Sequence, residues 1–416
     1  MYKLIIAVFI WSSVTQVQLI ETMDKSKAVA QGISQFTINL YNAVREEVGP
    51  SSNIFISPYS ISAVVAMVLA GAKGDTKRQI LDALNLSEKS DEDILTGFSA
   101  LIGKTEGQDP ANKLNTANRV YAMENYKILE SYSTLLEKYF GATLELKNFG
   151  DDKTRIDINK WVEEQTESKI KDLIPQGALD AMTRLVLVNA IYFKGMWQNA
   201  FDPKETVKEP FHLSKTDTTD VQMMHIEETF RVGENKELGV RTLEMPYKGR
   251  LLTILIVLPN EIDGLSALEE KLKDNPLAWK QMEQLMRPSK LKVSLPKFKI
   301  ESSVELSKIM AKMGMSDLFD ESKANLAGIS EKNDLFASAV FHKAFIDVNE
   351  EGTEAAAATA GFIRCRRSLD IDEEIEFTCD RPFLFAIREE STGTLLFVGS
   401  LKLPVEETLK IEHQEL

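Results

Sequence analysis

Apolar residues at helical spacing mark the first part of the chain. Between residues 27 and 46 they recur at intervals of three and four, which is the period of an amphipathic helix. Ser57-Pro58 then opens a segment whose run from 63 to 70 is small and apolar on all sides, which predicts a buried helix. We expect helices to continue to about residue 180, with one over 153–165. The apolar positions of the first helix are Ile33, Phe36, Leu40 and Val44.

Strand patterns dominate the second half of the chain. Its apolar runs are either continuous or alternate with polar residues, and the last two are joined by a turn at 391–393. Helices followed by strands, with further helices between them, predict an α+β fold built on large mixed sheets. The predicted strands are 185–193, 251–258, 291–300, 383–387 and 395–401.

The composition indicates that this fold forms one large domain. The chain has 416 residues, of which 44% are hydrophobic and 27% charged, and it contains no Gly/Ser-rich linker and no repeat of fixed period. We therefore assign residues 19–404 to a single domain. The net charge of −14 argues against nucleic acid and anionic membranes as partners. Beyond the N-terminus, no stretch has the ~18 apolar residues that a membrane helix needs, so we expect no membrane insertion.

The N-terminal segment and one sequon indicate export. Residues 4–14 form an apolar run after a short basic start, too short to span a bilayer and typical of a signal peptide. We expect the signal to cover residues 1–18, with cleavage near 14–18; a short buried helix is the alternative. Asn85-Leu86-Ser87 is a glycosylation sequon that fits the same compartment.

The sequence carries no catalytic or metal-binding signature. It lacks the nucleophile elbow, the paired-histidine zinc motif and the glycine-rich phosphate loops of common enzymes. Its histidines do not have metal-ligand spacing with each other or with a cysteine. We therefore expect no enzyme activity, no metal and no cofactor. The four histidines are His212, His225, His342 and His413.

The segment from residue 350 to 369 carries the functional prediction. Its alanines suit a helix, but Gly352, Thr359 and Gly361 interrupt one, and no apolar stripe would anchor it. Read with a period of two, the odd positions from 353 to 365 are uncharged and mostly small, whereas every charge falls on an even position. The segment is therefore compatible with two states, an exposed loop that proteases cleave easily and a strand inserted in a sheet.

Five motifs in order along the chain resemble those of the serpin family. Residues 350–359 are close to the hinge of inhibitory serpins, and four flanking motifs extend the match over roughly residues 30–404. The flanking motifs are NIFISPYSI at 53–61, VNAIYFKG at 188–195 with Trp197, FHKA at 341–344 and DRPFLF at 380–385. The resemblance implies a serpin fold with about nine helices and an exposed reactive-centre loop at about 350–370. The implied hinge residues are Glu350, Glu351, Gly352, Thr353, Ala355, Ala356, Ala357, Ala358 and Thr359.

The resemblance also implies a mechanism. A serine protease cleaves the loop and forms an acyl-enzyme at its own serine, and the freed loop then inserts into the main sheet before hydrolysis finishes. The protease stays covalently attached to the loop, and its active site is distorted. The chain, which we expect to be a monomer, is thus consumed as a suicide substrate. A non-inhibitory member of the family is the alternative.

The end of the loop predicts a target that cleaves after arginine. The commonest length of a serpin loop, counted from Gly352, places the bond between Arg366 and Arg367. A loop one residue longer places it between Arg367 and Ser368. The buried carboxylate in the pocket of a trypsin-like protease would pair with either arginine. Together with Arg364, these residues also fit the Arg-x-Arg-Arg pattern of furin-like proprotein convertases, whose acidic clefts would engage three guanidinium groups at once.

The C-terminal tail of residues 405–416 favours a convertase target. Its last four residues are similar to the Lys-Asp-Glu-Leu retrieval signal, although Gln414 departs from it. Convertases act in the secretory pathway, and arthropod serpins with such a bait and such a tail are known as a type. We expect the endoplasmic reticulum and Golgi lumen, with secretion to the outside as a further destination. A secreted inhibitor of trypsin-like immune or clotting proteases is the alternative. The retrieval residues are His413, Gln414, Glu415 and Leu416.

The two cysteines lie on either side of the candidate bonds. A disulfide between Cys365 and Cys379 would tether the two halves of the cleaved chain and oppose insertion. We therefore predict that they are not linked in the active inhibitor; a bridge that acts as a redox switch is the alternative.

Overall fold

The computed structural model describes residues 2–105, 111–273, 275, 278–332, 334–353, 375–404 and 407–410, with side chains from residue 21 onward except at 280 and 407–410. These residues contain nine α-helices and sixteen strands. The helices are α1 (Tyr2–Val48), α2 (Pro58–Leu69), α3 (Gly74–Ala83), α4 (Asp91–Thr105), α5 (Glu130–Phe140), α6 (Asp152–Gln165), α7 (Leu265–Lys273), α8 (Ala278–Leu285) and α9 (Ser307–Lys312).

The strands form two mixed sheets, which confirms the predicted fold class. They are β1 (Ile54–Ile56), β2 (Asn112–Met123), β3 (Leu144–Lys147), β4 (Leu185–Met196), β5 (Val207–His212), β6 (Thr218–Asn235), β7 (Val240–Pro246), β8 (Leu252–Pro259), β9 (Arg287–Pro296), β10 (Phe298–Glu305), β11 (Ala337–Val348), β12 (Gly352–Thr353), β13 (Ile375–Thr378), β14 (Phe383–Glu389), β15 (Leu395–Leu401) and β16 (Glu407–Lys410).

The central sheet has seven strands in the order β16-β10-β11-β12-β4-β2-β3. β4 and β11 are long strands that pair directly with each other in parallel, whereas β2 and β10 pair antiparallel on their outer sides. The very short β12 enters between β4 and β11 at one end of the pair. The second sheet has nine strands in the order β1-β15-β14-β8-β7-β6-β9-β13, with β5 added to β6.

α2 forms the centre of the core between the sheets. All of its residues are buried, as the run of small and apolar residues predicts. Ser57 caps the helix because its hydroxyl accepts a hydrogen bond from the Ser60 amide, and Pro58 occupies the first helical position, where no amide hydrogen is needed. The sequence prediction of a buried helix here is confirmed.

The expectation that helices continue to residue 180 is wrong, because β2 and β3 lie within this stretch. β2 carries many polar residues, so it lacks the apolar alternation that marks a strand. Its partners compensate: Asn118 accepts hydrogen bonds from Ser60 and Asn189, and the whole strand pairs with β4. Partners that are distant in the sequence decide the structure of this segment.

Two other boundaries differ from expectation. The predicted strand 291–300 is two strands, β9 and β10, which lie in different sheets on either side of Lys297. The helix expected at 27–46 lies within the longer α1. The first part of α1, which is described by its backbone alone, covers the segment expected to be a signal peptide. Among the described helices, none combines the length and apolar content needed to cross a membrane. The signal peptide and its cleavage stay predictions.

Candidate functional site

The predicted hinge begins inside the central sheet. Gly352 and Thr353 form β12, which pairs antiparallel with β4 on one side and β11 on the other. A Cβ atom at Gly352 would lie 1.9 Å from the carbonyl oxygen of Gly195, so no other residue fits this position. The expectation of a loop exposed from residue 350 is therefore corrected, because Glu350, Gly352 and Thr353 are buried by the sheet that holds them.

An aromatic cluster receives the first side chain of the hinge. The Thr353 hydroxyl shares a hydrogen bond of 2.8 Å with the Tyr247 hydroxyl. The Tyr247 ring stacks on Trp197, with 4.7 Å between the ring centroids, and meets Phe193 edge-on at 5.0 Å. Burial raises the pKa of Tyr247, so the phenol stays neutral in contact with the threonine. The side chain of Thr353 thus faces the core between the two sheets.

Hydrogen bonds fix the three residues before β12. The Trp197 indole donates to the Asn349 carbonyl at 2.9 Å, and the Trp197 amide donates to the Glu351 carbonyl at 2.9 Å. The Glu350 carboxylate accepts from Thr206 at 2.8 Å and pairs with Lys297 at 2.8 Å. Burial alone would raise the pKa of Glu350, but the hydrogen bonds outweigh it and the pKa is lowered. Residues 349–351 are therefore held by hydrogen bonds and by the ion pair between Glu350 and Lys297.

Beyond β12, β4 and β11 pair directly with each other, and a buried polar pair of side chains lies between them. His342 on β11 lies opposite Asn189 on β4, and the two side chains are hydrogen-bonded. The Ser57 amide donates to His342 Nε2 at 3.3 Å, so Nδ1 carries the ring hydrogen and donates to Asn189 Oδ1. Burial lowers the pKa of His342 to about 3, which keeps the ring neutral. Any strand that continues β12 must separate this pair.

α6 and the segment after it cover the outer face of the same strands. Apolar residues of α6 and of 170–174 pack on β2, β4 and β11 as a second buried cluster. Lys343, next to His342, donates to the Lys171 carbonyl at 2.6 Å and pairs with Glu301 at 2.6 Å. The Arg119 guanidinium lies 3.9 Å from the centre of the Trp161 ring. These contacts hold the cover in place over the line at which β4 and β11 meet.

The predicted bait and reactive bond lie wholly outside the described residues. Asn85 lies on the surface after α3, with a left-handed φ of 55°, and the Ser87 hydroxyl donates to Asp82. Cys379 is fully buried as a free thiol, and burial raises its pKa. The predicted site residues outside the described part are Ala355, Ala356, Ala357, Ala358, Thr359, Arg364, Cys365, Arg366, Arg367, Ser368, His413, Gln414, Glu415 and Leu416.

The polar residues at the junction of β4 and β11 were not identified from the sequence. Asn189, His342 and Lys343 lie within motifs that carry the family resemblance, but only their pairing across β4 and β11 reveals their common place. A signal was available, since an amide, an imidazole and an ammonium group interrupt the apolar runs within β4 and β11. Tyr247 carried no such signal, because it stands between Pro246 and the polar residues 248–250, outside the apolar runs of the neighbouring strands.

One arrangement of the described residues is similar to a catalytic triad. His225 Nδ1 lies 3.0 Å from the Ser294 hydroxyl, and its Nε2 lies 3.4 Å from a Glu209 carboxylate oxygen. Ser294 sits in the middle of β9, which is paired on both sides, so its backbone is engaged in the sheet and does not form an oxyanion hole. Within the described ranges, no group of histidine, cysteine and acidic residues is arranged to hold a metal ion.

Comparison with known proteins extends over nearly the whole fold. The family model described as "Serpin (serine protease inhibitor)" matches residues 31–404. Leukocyte elastase inhibitor A of Mus musculus is 42% identical over 376 residues, which cover 89% of this chain and 97% of that protein. Ipis-1 of Ixodes persulcatus is 40% identical over 379 residues, covering 90% and 99%. The crystal structure of Serpin48 from the insect Tenebrio molitor superposes with a TM-score of 0.82 at 33% identity, covering 90% and 98%.

Proposed function

The chain belongs to the serpin family, and we propose that it inhibits a serine protease that cleaves after arginine. Members of this family of inhibitors are not enzymes in the catalytic sense. The observation that carries the proposal is the position of β12, whose two residues already lie between β4 and β11. A cleaved loop would continue this strand into the sheet from its anchored end.

The alternation along the loop supports insertion in this register. Thr353 faces the core, so a strand that continues from it would bring Ala355, Ala357 and Thr359 to the same face. These side chains are small and uncharged, whereas Glu354 would face the opposite side. Because Thr353 already lies in the sheet, full insertion as far as Arg367 would add about 46 Å of strand, at ~3.3 Å per residue.

The chemistry divides between the protease and this chain. The serine hydroxyl of the protease attacks the carbonyl carbon of the arginine before the bond, and an ester replaces the peptide bond. The new amino terminus takes the proton and leaves with the C-terminal fragment. Water would then hydrolyse the ester, unless insertion first moves the ester away from the catalytic groups. The inhibitor therefore depends on a race between insertion and hydrolysis.

The bait favours a furin-like convertase as the target. Arg364, Arg366 and Arg367 supply the three guanidinium groups of the Arg-x-Arg-Arg pattern, with Ser368 after the bond. A trypsin-like protease, which needs one arginine, is the alternative and would also accept a bond after Arg366. In both cases the specificity resides in the loop and not in the hinge.

The names of the relatives raise a second candidate target. The mouse relative is named as an inhibitor of leukocyte elastase. An elastase has a small specificity pocket and needs a small or apolar residue before the bond, which Ile363 or Cys365 would supply. Cleavage there would release a fragment that starts at Arg364 or Arg366, so the fragment distinguishes the candidates.

The termini and the sequon support a place of action in the secretory pathway. Residues 1–18 are proposed as the signal, 413–416 as the retrieval signal and Asn85 as a glycan site. The exposure of Asn85 is compatible with modification. A convertase that matures in this pathway would meet the inhibitor there.

The target is identified by comparing one bait variant with the unchanged chain. Arg364→Ala should reduce the rate of complex formation with furin at least tenfold and leave the rate with trypsin within about twofold, because each desolvated ion pair with the acidic cleft contributes roughly 1.5–3 kcal/mol. Equal effects on both proteases would contradict the convertase proposal. A complex with elastase alone would select the second candidate.

A further inference from the structure

The C-terminal tail forms the outermost strand of the central sheet. Glu407–Lys410 form β16, which pairs in parallel with residues 300–303 of β10. On its other side, β10 pairs antiparallel with β11 over its whole length, from Phe298 to Glu305. Without the tail, β10 would therefore be the edge of the central sheet. The backbone N–H and C=O groups that it turns away from β11 would then have no strand beside them.

The other edges of the two described sheets have features that discourage pairing with a further strand. β1, β3 and β13 are only three or four residues long. β5, which is added to β6, has six residues and contains Pro210, which has no amide hydrogen. Short strands and prolines are the usual protection of sheet edges. β10 has neither, since it is eight residues long and contains no proline.

The charged side chains of β10 do not protect its edge, because all three contact β11 instead. The Lys299 ammonium lies 5.3 Å from the centre of an aromatic ring of β11. Glu301 pairs with Lys343 at 2.6 Å, and the Glu305 carboxylate accepts a hydrogen bond from the Val340 amide at 3.2 Å. These charges are thus engaged on the side of β10 that already has a partner, and β16 is what covers the other side.

A buried asparagine directs the tail to this edge. Where β15 ends, Asn53 Oδ1 accepts hydrogen bonds from the Lys402 and Leu403 amides at 2.7 and 3.0 Å, and Nδ2 donates to the Leu403 carbonyl at 2.6 Å. Four residue steps of ~3.3 Å limit the distance from Leu403 to Glu407 to about 13 Å. A strand on so short a tether acts at an effective concentration of about 1 mM, roughly a thousandfold above a second copy of the chain at about 1 µM.

We infer that β16 protects the edge of the central sheet: the tail occupies β10 and prevents it from pairing with the same strand of a second copy of this chain. Two copies related by a twofold axis would pair their β10 strands antiparallel, so the uncovered edge would be self-complementary. This role goes beyond the proposed inhibition, because β10 and β11 separate the tail from β12. It also gives the tail a structural task besides the proposed retrieval.

Four variants separate the strand from the rest of the tail. One variant ends at Pro404, where the match to the family model also ends, and its control ends at Lys410 and keeps β16. The second variant, Thr408→Pro with Leu409→Pro, keeps the length of the chain. It removes two successive amide hydrogens, one of which faces β10 in a parallel pair. Thr408→Ala with Leu409→Ala is its control.

Hydrogen exchange of the peptide that covers residues 298–305 reports the pairing directly. Loss of β16 should speed the exchange of about two amides by about tenfold or more, while both controls stay within about twofold of the unchanged chain. Equal exchange in the chains that end at 404 and at 410 would overturn the inference, because the tail would then not cover β10.

Sedimentation velocity tests whether the uncovered edge pairs with a second copy. Both variants without β16 should form dimers as their concentration rises from about 1 µM to about 100 µM, whereas both controls stay monomeric. The urea midpoint of each variant, which should match that of its control, shows that dimers do not arise from unfolded chain. Faster exchange without dimers would refute the protective role. Neither measurement uses a protease, so a failure of the proposed inhibition would leave both intact.

Discussion

Thr353→Arg is the substitution that separates docking from trapping. Thr353 has no exposed surface and its hydroxyl contacts Tyr247 inside the aromatic cluster, so an arginine at this position would place a charge in the core. We expect β12 to leave the sheet and the loop to be cleaved without subsequent insertion. Glu354→Arg is the matched control, because it introduces the same residue on the face that would point away from the core.

The size of the effect follows from the cost of burying the charge. Burying an unpaired ion in a protein interior costs several kcal/mol. A cost of about 4 kcal/mol would slow an insertion step that must bury this charge by roughly a thousandfold. Hydrolysis of the ester does not involve the hinge and keeps its rate. Trapping would then be lost unless insertion normally outruns hydrolysis by more than about 10³.

The measured quantity is the number of inhibitor molecules consumed for each protease molecule trapped. Gels that resolve the complex, the cleaved chain and the intact chain give this number. Thr353→Arg should yield cleaved chain and almost no complex, while Glu354→Arg retains complex. Thr353→Arg protein that still formed a detergent-stable complex in full yield would refute the insertion of this strand.

Three further predictions concern stability and processing. Asn189→Ala leaves the buried His342 ring without its partner, so the native state should lose about 1–3 kcal/mol in urea unfolding; a change below about 0.3 kcal/mol would contradict the role of this pair. His342 has a pKa of about 3 in the native state and an ordinary value of 6.5 when unfolded, so the unfolded chain binds the proton first. Native stability should therefore fall as pH drops from about 6.5 towards 3, by up to about 5 kcal/mol, and His342→Gln should remove most of this slope in pH-dependent unfolding. Asn85→Gln should abolish the mass shift caused by endoglycosidase in chain expressed through the secretory pathway; an unchanged shift would place the glycan elsewhere.

The sequence predicted those parts of the fold that depend on local pattern. The buried α2, the strand β4 and the hairpin of β14 and β15 have clear apolar runs, and all were found where expected. β2 was missed because its polar side chains find partners on α2 and β4, which are distant in the sequence. The break between β9 and β10 was missed, although the apolar positions change from odd (291, 293 and 295) to even (298 and 300) at Lys297, where the chain changes sheet.

The site divides in the same way. Residue types and parity predicted a segment compatible with both a loop and a strand, and the family resemblance implied that it contains the hinge. Of the implied hinge, only residues 350–353 lie among the described residues. The resting position of β12 could not be predicted, because it depends on Gly195, Tyr247 and Trp197 approaching from other strands. The pairing of His342 with Asn189 likewise exists only once β4 and β11 lie side by side.

The ester at an arginine of the reactive loop is the product that defines the proposed inhibition, and the intact mass of the detergent-stable complex formed with furin or trypsin reveals it. We expect the mass of the protease plus the chain up to Arg367, with release of a fragment that covers residues 368–416. A bond after Arg366 would shift both masses by one arginine. Cleaved chain without any covalent complex with either protease, or a complex whose mass includes the whole uncleaved inhibitor, would refute trapping by this chain.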